Sequence, residues 1–448
     1  MQEYIAELSK YFIAILMALY ALECFLVFRF KKDSLKKGVY LRQRLYIFFI
    51  QLLAFLTLYV KSGESDYLFF YGFVQIFLFA VLSLTAILYE KVNRLLLNNM
   101  CMLLGISFII LSRLSLKKSV KQLAVVMVSF LICLTVPALL KRMKFLRNLT
   151  WVYAAVGLIL LLLVWQLGNL THGSKISFSI HGMTFQPSEF VKLLFVFFLA
   201  ALLWKKADLK KIILATIFSA AHVIVLVLSR DLGSALIFFV AFVFVVFMAT
   251  GSYLYLALGL GAFSASAVAA YYLFDHVRIR VLAWKAPFTY IDNQGYQITQ
   301  SLFAIGSGSF FGLGLYGGTP GDIPYVETDF IFSAICEEMG VISGICLLLV
   351  CISSFIMMFT IGMRFQDRFY RYIALGYGVI YIFQIFLTIG GGIKFIPLTG
   401  VTLPFVSYGG SSVLTTMLLF FVIQALFIKL SREGGACYVP KSKEKVEQ

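Results

Sequence analysis

Asp329, Glu337 and Glu338 are the residues of this chain best suited to chemistry, because they break into an otherwise apolar stretch. They follow a segment with seven glycines between Gly306 and Gly321, then Pro324, Glu327 and Thr328. Asp329 stands where a loop ends and a hydrophobic helix begins. Glu337 and Glu338 lie two turns further in, roughly 12–14 Å along that helix at ~1.5 Å per residue. Carboxylates at such depth are costly in lipid and normally face a wet cavity or a partner. A glycine-rich loop lets backbone approach a ligand, and here an acid follows it at the membrane mouth. The combination reads as an active-site entrance. Taken alone, Asp329 reads first as a capping or first-turn acid on the helix dipole, and only its company changes that.

Three other segments carry polar residues among glycines and prolines. In Gln186-Pro187-Ser188-Glu189, proline suits a first helical turn and Glu189 complements the positive helix end, with Lys192 one turn on as a partner. Arg230 and Asp231 precede another apolar run, either as a local ion pair or as part of a site. Lys394 follows Gly390, Gly391 and Gly392 and reads as an interfacial anchor or an anion site. Seven cysteines without CxxC spacing and four histidines without HExxH give no metal signal.

The elements that position these residues must lie in a membrane. The chain is 61% hydrophobic and 13% charged over 448 residues, with mean hydropathy +0.94, which excludes an ordinary soluble domain. Long apolar runs predict an all-α polytopic protein rather than a barrel. Thirteen runs are expected, at about 11–28, 45–61, 67–89, 98–113, 120–140, 148–168, 187–204, 210–228, 232–250, 252–274, 329–360, 371–393 and 404–428. The run at 98–113 is the shortest. The net charge of +17 comes in short basic blocks between runs, which points to topology and anionic lipid rather than nucleic acid. With the N-terminus outside, the cytoplasmic segments hold 25 of the 38 Lys and Arg. Arg113, Lys117, Lys118 and Lys121 break this rule. The same alternation puts segments 172–189, 229–234, 275–328 and 390–412 on one outer face, as if around a single cavity.

FQPSEFVK (185–192), RDLGSAL (230–236), GYQITQSLFAIGSG (295–308), TDFIFSAICEEMG (328–340) and PLTGVTLPFVSYGGSS (397–412), in this order, resemble the SEDS family of shape, elongation, division and sporulation proteins. The resemblance spans about 98–430 and implies a ten-helix core, with a long extracytoplasmic loop at 275–328. Residues 1–97 would form an extra amino-terminal module of three helices, and 431–448 a basic cytoplasmic tail. This chain departs from the family where Ile176, Ser177 and Phe178 follow Lys175 in place of a bulky Trp, and where Thr388 stands for a frequent Asn.

The resemblance implies a peptidoglycan glycosyltransferase that polymerises lipid II at the outer face of the bacterial cytoplasmic membrane. Asp329 would be the general base. Lys175, Gln186, Glu189, Lys192, Arg230, Asp231, Gln297, Lys394, Ser407, Gly409 and Gly410 would contact substrate, with Arg278 and Arg280 behind the cations. No organic cofactor is implied; a divalent cation could assist, although no acidic cluster specifies one. The implied partner is a class B penicillin-binding transpeptidase. Two other classes fit parts of the pattern: a transporter of lipid-linked precursors, given the intramembrane carboxylates, and a non-catalytic scaffold that recruits the transpeptidase. The basic-block asymmetry generates a direct test of topology. Single cysteines at 175, 285 and 318 should label from outside, while those at 36, 207 and 367 stay protected; external labelling at 207 or 367 would overturn the arrangement.

Overall fold

The computed structural model describes residues 2–30, 32–142, 144–171, 174–180 and 183–433. Three helices come first, α1 (Gln2–Arg29), α2 (Asp33–Ser62) and α3 (Asp66–Leu88), followed by α4 (Arg94–Leu114). The next run is divided into α5 (Leu116–Leu134) and α6 (Val136–Arg142). Pro137 explains the division, because it lacks an N–H and its ring clashes with the carbonyl four residues back. After α7 (Thr150–Leu167), a small antiparallel sheet of β1 (Asn169–Thr171), β2 (Ser174–Ile180) and β3 (Met183–Phe185) leads into α8 (Pro187–Leu203). Then come α9 (Leu209–Leu228), α10 (Leu232–Thr250) and α11 (Tyr253–Leu273). The long loop contains α12 (Asp275–Lys285) and α13 (Tyr296–Gly308), and α14 (Ile331–Arg364), α15 (Arg368–Gly392) and α16 (Gly410–Arg432) complete the fold.

The protein is thus an all-α multi-pass membrane protein apart from that sheet. Among the described residues, twelve helical segments are long and apolar enough to cross a membrane. The thirteenth expected segment, α8, has 17 residues, the short end of the spanning range of about 17–25.

The shortest expected run forms the most buried of the spanning helices. α4 starts at Arg94 rather than near 98, capped by the Asn93 side chain, which accepts from Leu96 N at 3.1 Å. The whole spanning window of α4 is buried, as an all-round apolar helix requires. Asn98 and Asn99 shorten the apolar run in sequence, and both are buried where α4 meets the first helices. Asn99 Oδ1 accepts from Tyr20 Oη at 3.0 Å and Cys24 Sγ at 3.2 Å; its Nδ2 donates to Ser353 Oγ at 2.8 Å and Ser354 Oγ at 2.9 Å. Asn98 Nδ2 donates to Gln43 Oε1 at 2.9 Å. A polar seam therefore joins α1 and α2 to α4 and α14.

α14 is broken in its interior. Gly340 has φ 86° and ψ 160°, and the groups it frees are taken by the loop after α13. Leu313 N donates to Glu337 O at 2.9 Å and Gly314 N to Glu338 O at 3.0 Å. In return, Val341 N donates to Ser309 O at 3.0 Å and Ile342 N to Phe310 O at 3.2 Å. A non-helical stretch inside a membrane protein is tolerated only with such internal partners. Gly312, at φ 83°, cannot be replaced, because a Cβ there would lie 2.2 Å from Glu338 O.

The seam makes a stability prediction. Asn99→Leu keeps the branched shape of the side chain but takes the acceptor from the buried Tyr20 hydroxyl, which costs about 1–3 kcal/mol. A clear drop in the thermal midpoint of the detergent-purified protein is expected; an unchanged midpoint would show that the seam does not hold the first helices.

Candidate active site

Segments from all four polar regions converge on one cavity of about 700 Å³. Its wall includes Gln186, Arg230, Asp231, Arg280, Gln297, Tyr325, Asp329, Gly400, Tyr408, Gly409, Gly410 and Ser411. Asp329 is half-buried and lies outside the capping position of α14, which is Phe330. The segment carrying Asp329 is held from several sides. Asp329 N donates to Tyr325 O at 3.1 Å, Tyr408 N to Glu327 O at 2.7 Å, and Ser407 Oγ to Thr328 O at 2.5 Å. Lys118 pairs with Glu327. Gly400, at φ 73°, lies against the carboxylate: a Cβ there would come 3.7 Å from Asp329 Oδ2.

The electrostatics of the cavity are mixed and focused. Burial pushes the pKa of the Arg280 guanidinium down, while Asp329 and Asp231 pull it back up. His276, on the same α12, is also pushed below its ordinary value, first by burial and then by Arg280 and Arg230. Two arginines and two carboxylates therefore act on one small volume, in which charges interact more strongly than in water. Arg230 and Tyr325 hold φ values of 63° and 59°, a left-handed backbone that non-glycine residues adopt only when neighbours enforce it.

Residues 92–431 match the cell cycle protein family FTSW_RODA_SPOVE. The chain belongs to this family. It is 36% identical over 279 residues to the peptidoglycan glycosyltransferase RodA of Mycobacterium tuberculosis (strain ATCC 25618 / H37Rv), covering 56% of this chain and 57% of that relative. The chain thus spans little more than half the length of that relative. With RodA of Mycobacterium leprae the identity is 34% over 322 residues, 68% of each chain. Among solved structures, a chain of a peptidoglycan synthase complex that coordinates polymerization and crosslinking superposes with TM-score 0.64 at 26% identity, covering 76% of this chain and 98% of that one. The Thermus thermophilus rod shape determining protein RodA shares the fold, with TM-score 0.58 at 23% identity over 75% of this chain and 96% of that one.

Within this family member, the expected site residues fall into three groups. Gln186, Arg230, Asp231, Gln297, Asp329, Gly409 and Gly410 line the cavity. Glu189, Lys192 and Ser407 are buried and not among the residues on its wall. Lys192 Nζ donates to Glu189 Oε2 at 2.6 Å and Gln384 Oε1 at 2.8 Å, Thr415 Oγ1 donates to the same Glu189 oxygen at 3.0 Å, and Gln384 Nε2 donates to Thr402 O at 3.0 Å. This buried pair ties α8, α15 and α16 to the loop that carries Gly400. Ser407 Oγ accepts from Leu403 N at 2.8 Å and pins the backbone next to Asp329. Lys394 is also absent from the wall; its φ is 61° and its carbonyl accepts from Trp284 Nε1 at 3.0 Å. The side chain of Lys175, on β2, lies outside the described residues, as do residues 434–448 of the tail.

Asp231 is a helix cap as well as a wall residue. Its Oδ1 accepts from Ser234 N at 3.1 Å, and its Oδ2 from Ser188 Oγ at 3.0 Å and Gln186 Nε2 at 3.2 Å. It thereby locks the start of α8 to the start of α10. Arg280 is the wall cation that sequence reasoning ranked too low, because nothing in an eleven-residue loop helix marks which arginine turns inward. Its Nη1 also donates to Leu398 O and Thr399 O, each at 3.3 Å.

The ion pair below the cavity generates a prediction. Lys192→Met leaves Glu189 buried without its cation and should cost about 3–5 kcal/mol. Glu189→Gln combined with Lys192→Met should recover much of that loss in thermal unfolding. A single variant as stable as the parent would rule out the pair as a support.

Proposed function

We propose that this chain is a peptidoglycan glycosyltransferase that polymerises lipid II, with Asp329 as general base. The observation that carries the reading is the placement of Asp329 at the cavity wall, outside the capping position of its helix, with Arg280 and Arg230 acting on the same space. The acceptor sugar 4-hydroxyl attacks the anomeric carbon of the donor as Asp329 takes its proton. The bond from that carbon to the diphosphate oxygen breaks, and the negative charge left on the diphosphate is met by the arginines. Gly400 leaves room for a sugar ring to approach the carboxylate. A divalent cation held mainly by the diphosphate is compatible with this arrangement.

The curated names of the mycobacterial relatives support the activity. The similarity to a chain of a synthase complex supports a working partnership with a class B penicillin-binding transpeptidase. The cavity then opens to the outside of the bacterial cytoplasmic membrane, with the N-terminus outside and the C-terminus inside. Arg113 and Lys118, which break the basic-block rule, are consistent with this orientation, because Glu338 and Glu327 neutralise them. The intramembrane carboxylates that would suit a transporter are tied to structure: Glu337 Oε1 accepts from Thr319 N at 2.9 Å and Glu338 Oε1 from Arg113 Nε at 2.8 Å.

Asp329→Asn separates catalysis from positioning, since Asn keeps the shape and hydrogen-bonding capacity of the side chain but not its basicity. The variant should insert normally and bind lipid II, yet polymerise it about 10²–10⁴ times more slowly. The measurement is glycan formation from purified lipid II with the partner present. Near-normal polymer would remove Asp329 as the base.

A further inference from the structure

We propose that Tyr67, at the start of α3, is a positioning residue through which the first three helices hold the active-site loop in its working shape. This proposal rests on the glycosyltransferase reading. Tyr67 is buried, and its hydroxyl lies 2.8 Å from the hydroxyl of Tyr316 in the loop between α13 and α14. Tyr316 has φ 67°, a left-handed conformation that a bulky residue keeps only when its surroundings over-determine it.

Three contacts do so. The Tyr67 hydroxyl holds the phenol end, the Arg113 guanidinium stacks on the ring at 4.2 Å from its centre, and Tyr316 N donates to Glu338 Oε1 at 3.2 Å. Arg113 itself binds Glu338 and the carbonyl of Gly318, so cation, ring and carboxylate form one closed unit. Directly beside it, the same loop completes the broken backbone of α14 around Gly340. A second contact from the first helices lies nearby, where the Tyr11 ring packs on Phe311 at 5.1 Å.

The loop that carries this clamp ends at Asp329, so a residue that is not on the cavity wall governs how firmly the loop is anchored. Loss of the Tyr67 hydroxyl removes one of the three restraints on a strained residue. The loop should then sample other conformations, and the carboxylate should spend less time in a reactive geometry. Displacements on the scale of 1 Å suffice to slow a reaction strongly. Because the wall residues are untouched, turnover should suffer and substrate affinity should not.

The test uses the full chain with its transpeptidase partner. Tyr67→Phe should lower kcat about tenfold with KM within about twofold. Hydrogen exchange of the amides from 309 to 319 should speed up at the same time, while the thermal midpoint stays within a degree or two of the parent. Tyr316→Phe breaks the same hydrogen bond from the other side, so the double variant should be no slower than either single one. Unchanged exchange in the loop, or effects of the two substitutions that simply add, would overturn the proposal. If the parent protein itself makes no glycan, the glycosyltransferase reading fails, and the exchange measurement still decides whether Tyr67 restrains the loop.

Discussion

A helix broken inside a membrane protein must find partners for the backbone groups it releases, and most of this structure follows from that constraint. Gly340 interrupts α14, and the exposed carbonyls and amides would each cost several kcal/mol in lipid. The protein meets them with its own loop, which bonds to both sides of the break. Only a glycine-rich segment can come so close, since Gly308 and Gly312 pack where a Cβ would lie 2.1 and 2.2 Å from carbonyl oxygens of α14. The glycines that look like a ligand-binding loop in sequence are here first of all backbone partners for a helix.

Fixing that loop also fixes the cavity. Its far end carries Thr328 and Asp329, and it is pinned by Ser407, Tyr408 and Lys118 from separate parts of the chain. Below, the Glu189–Lys192 pair connects three helices to the loop around Gly400. A buried pair of this kind is weak evidence for stability on its own, because desolvation opposes the attraction. Here its additional hydrogen bonds give it a geometric use: they set the floor on which the wall stands. The charged residues thus divide by depth, with structural pairs beneath and Asp329, Arg230 and Arg280 facing the open volume.

The amino-acid sequence by itself determined the membrane class, the twelve segments long and apolar enough to span among the thirteen expected, and the polar regions that would meet. Apolar length and basic blocks are local properties, and the bilayer converts them directly into helices. The i, i+3 spacing of Glu189 and Lys192 likewise predicted their pairing. Tertiary structure alone decided which polar residues face the cavity and which lie under it, because inward direction depends on packing between helices distant in sequence. It placed Arg280 on the wall and left Lys394 off it, although both looked like loop cations. It also turned Asn98 and Asn99, which weaken an apolar run in sequence, into the seam of the most buried helix. No local pattern reports such partners: Asn99 meets Tyr20 and Ser353 across separations of 79 and 254 residues, and only the folded bundle brings them within hydrogen-bonding distance.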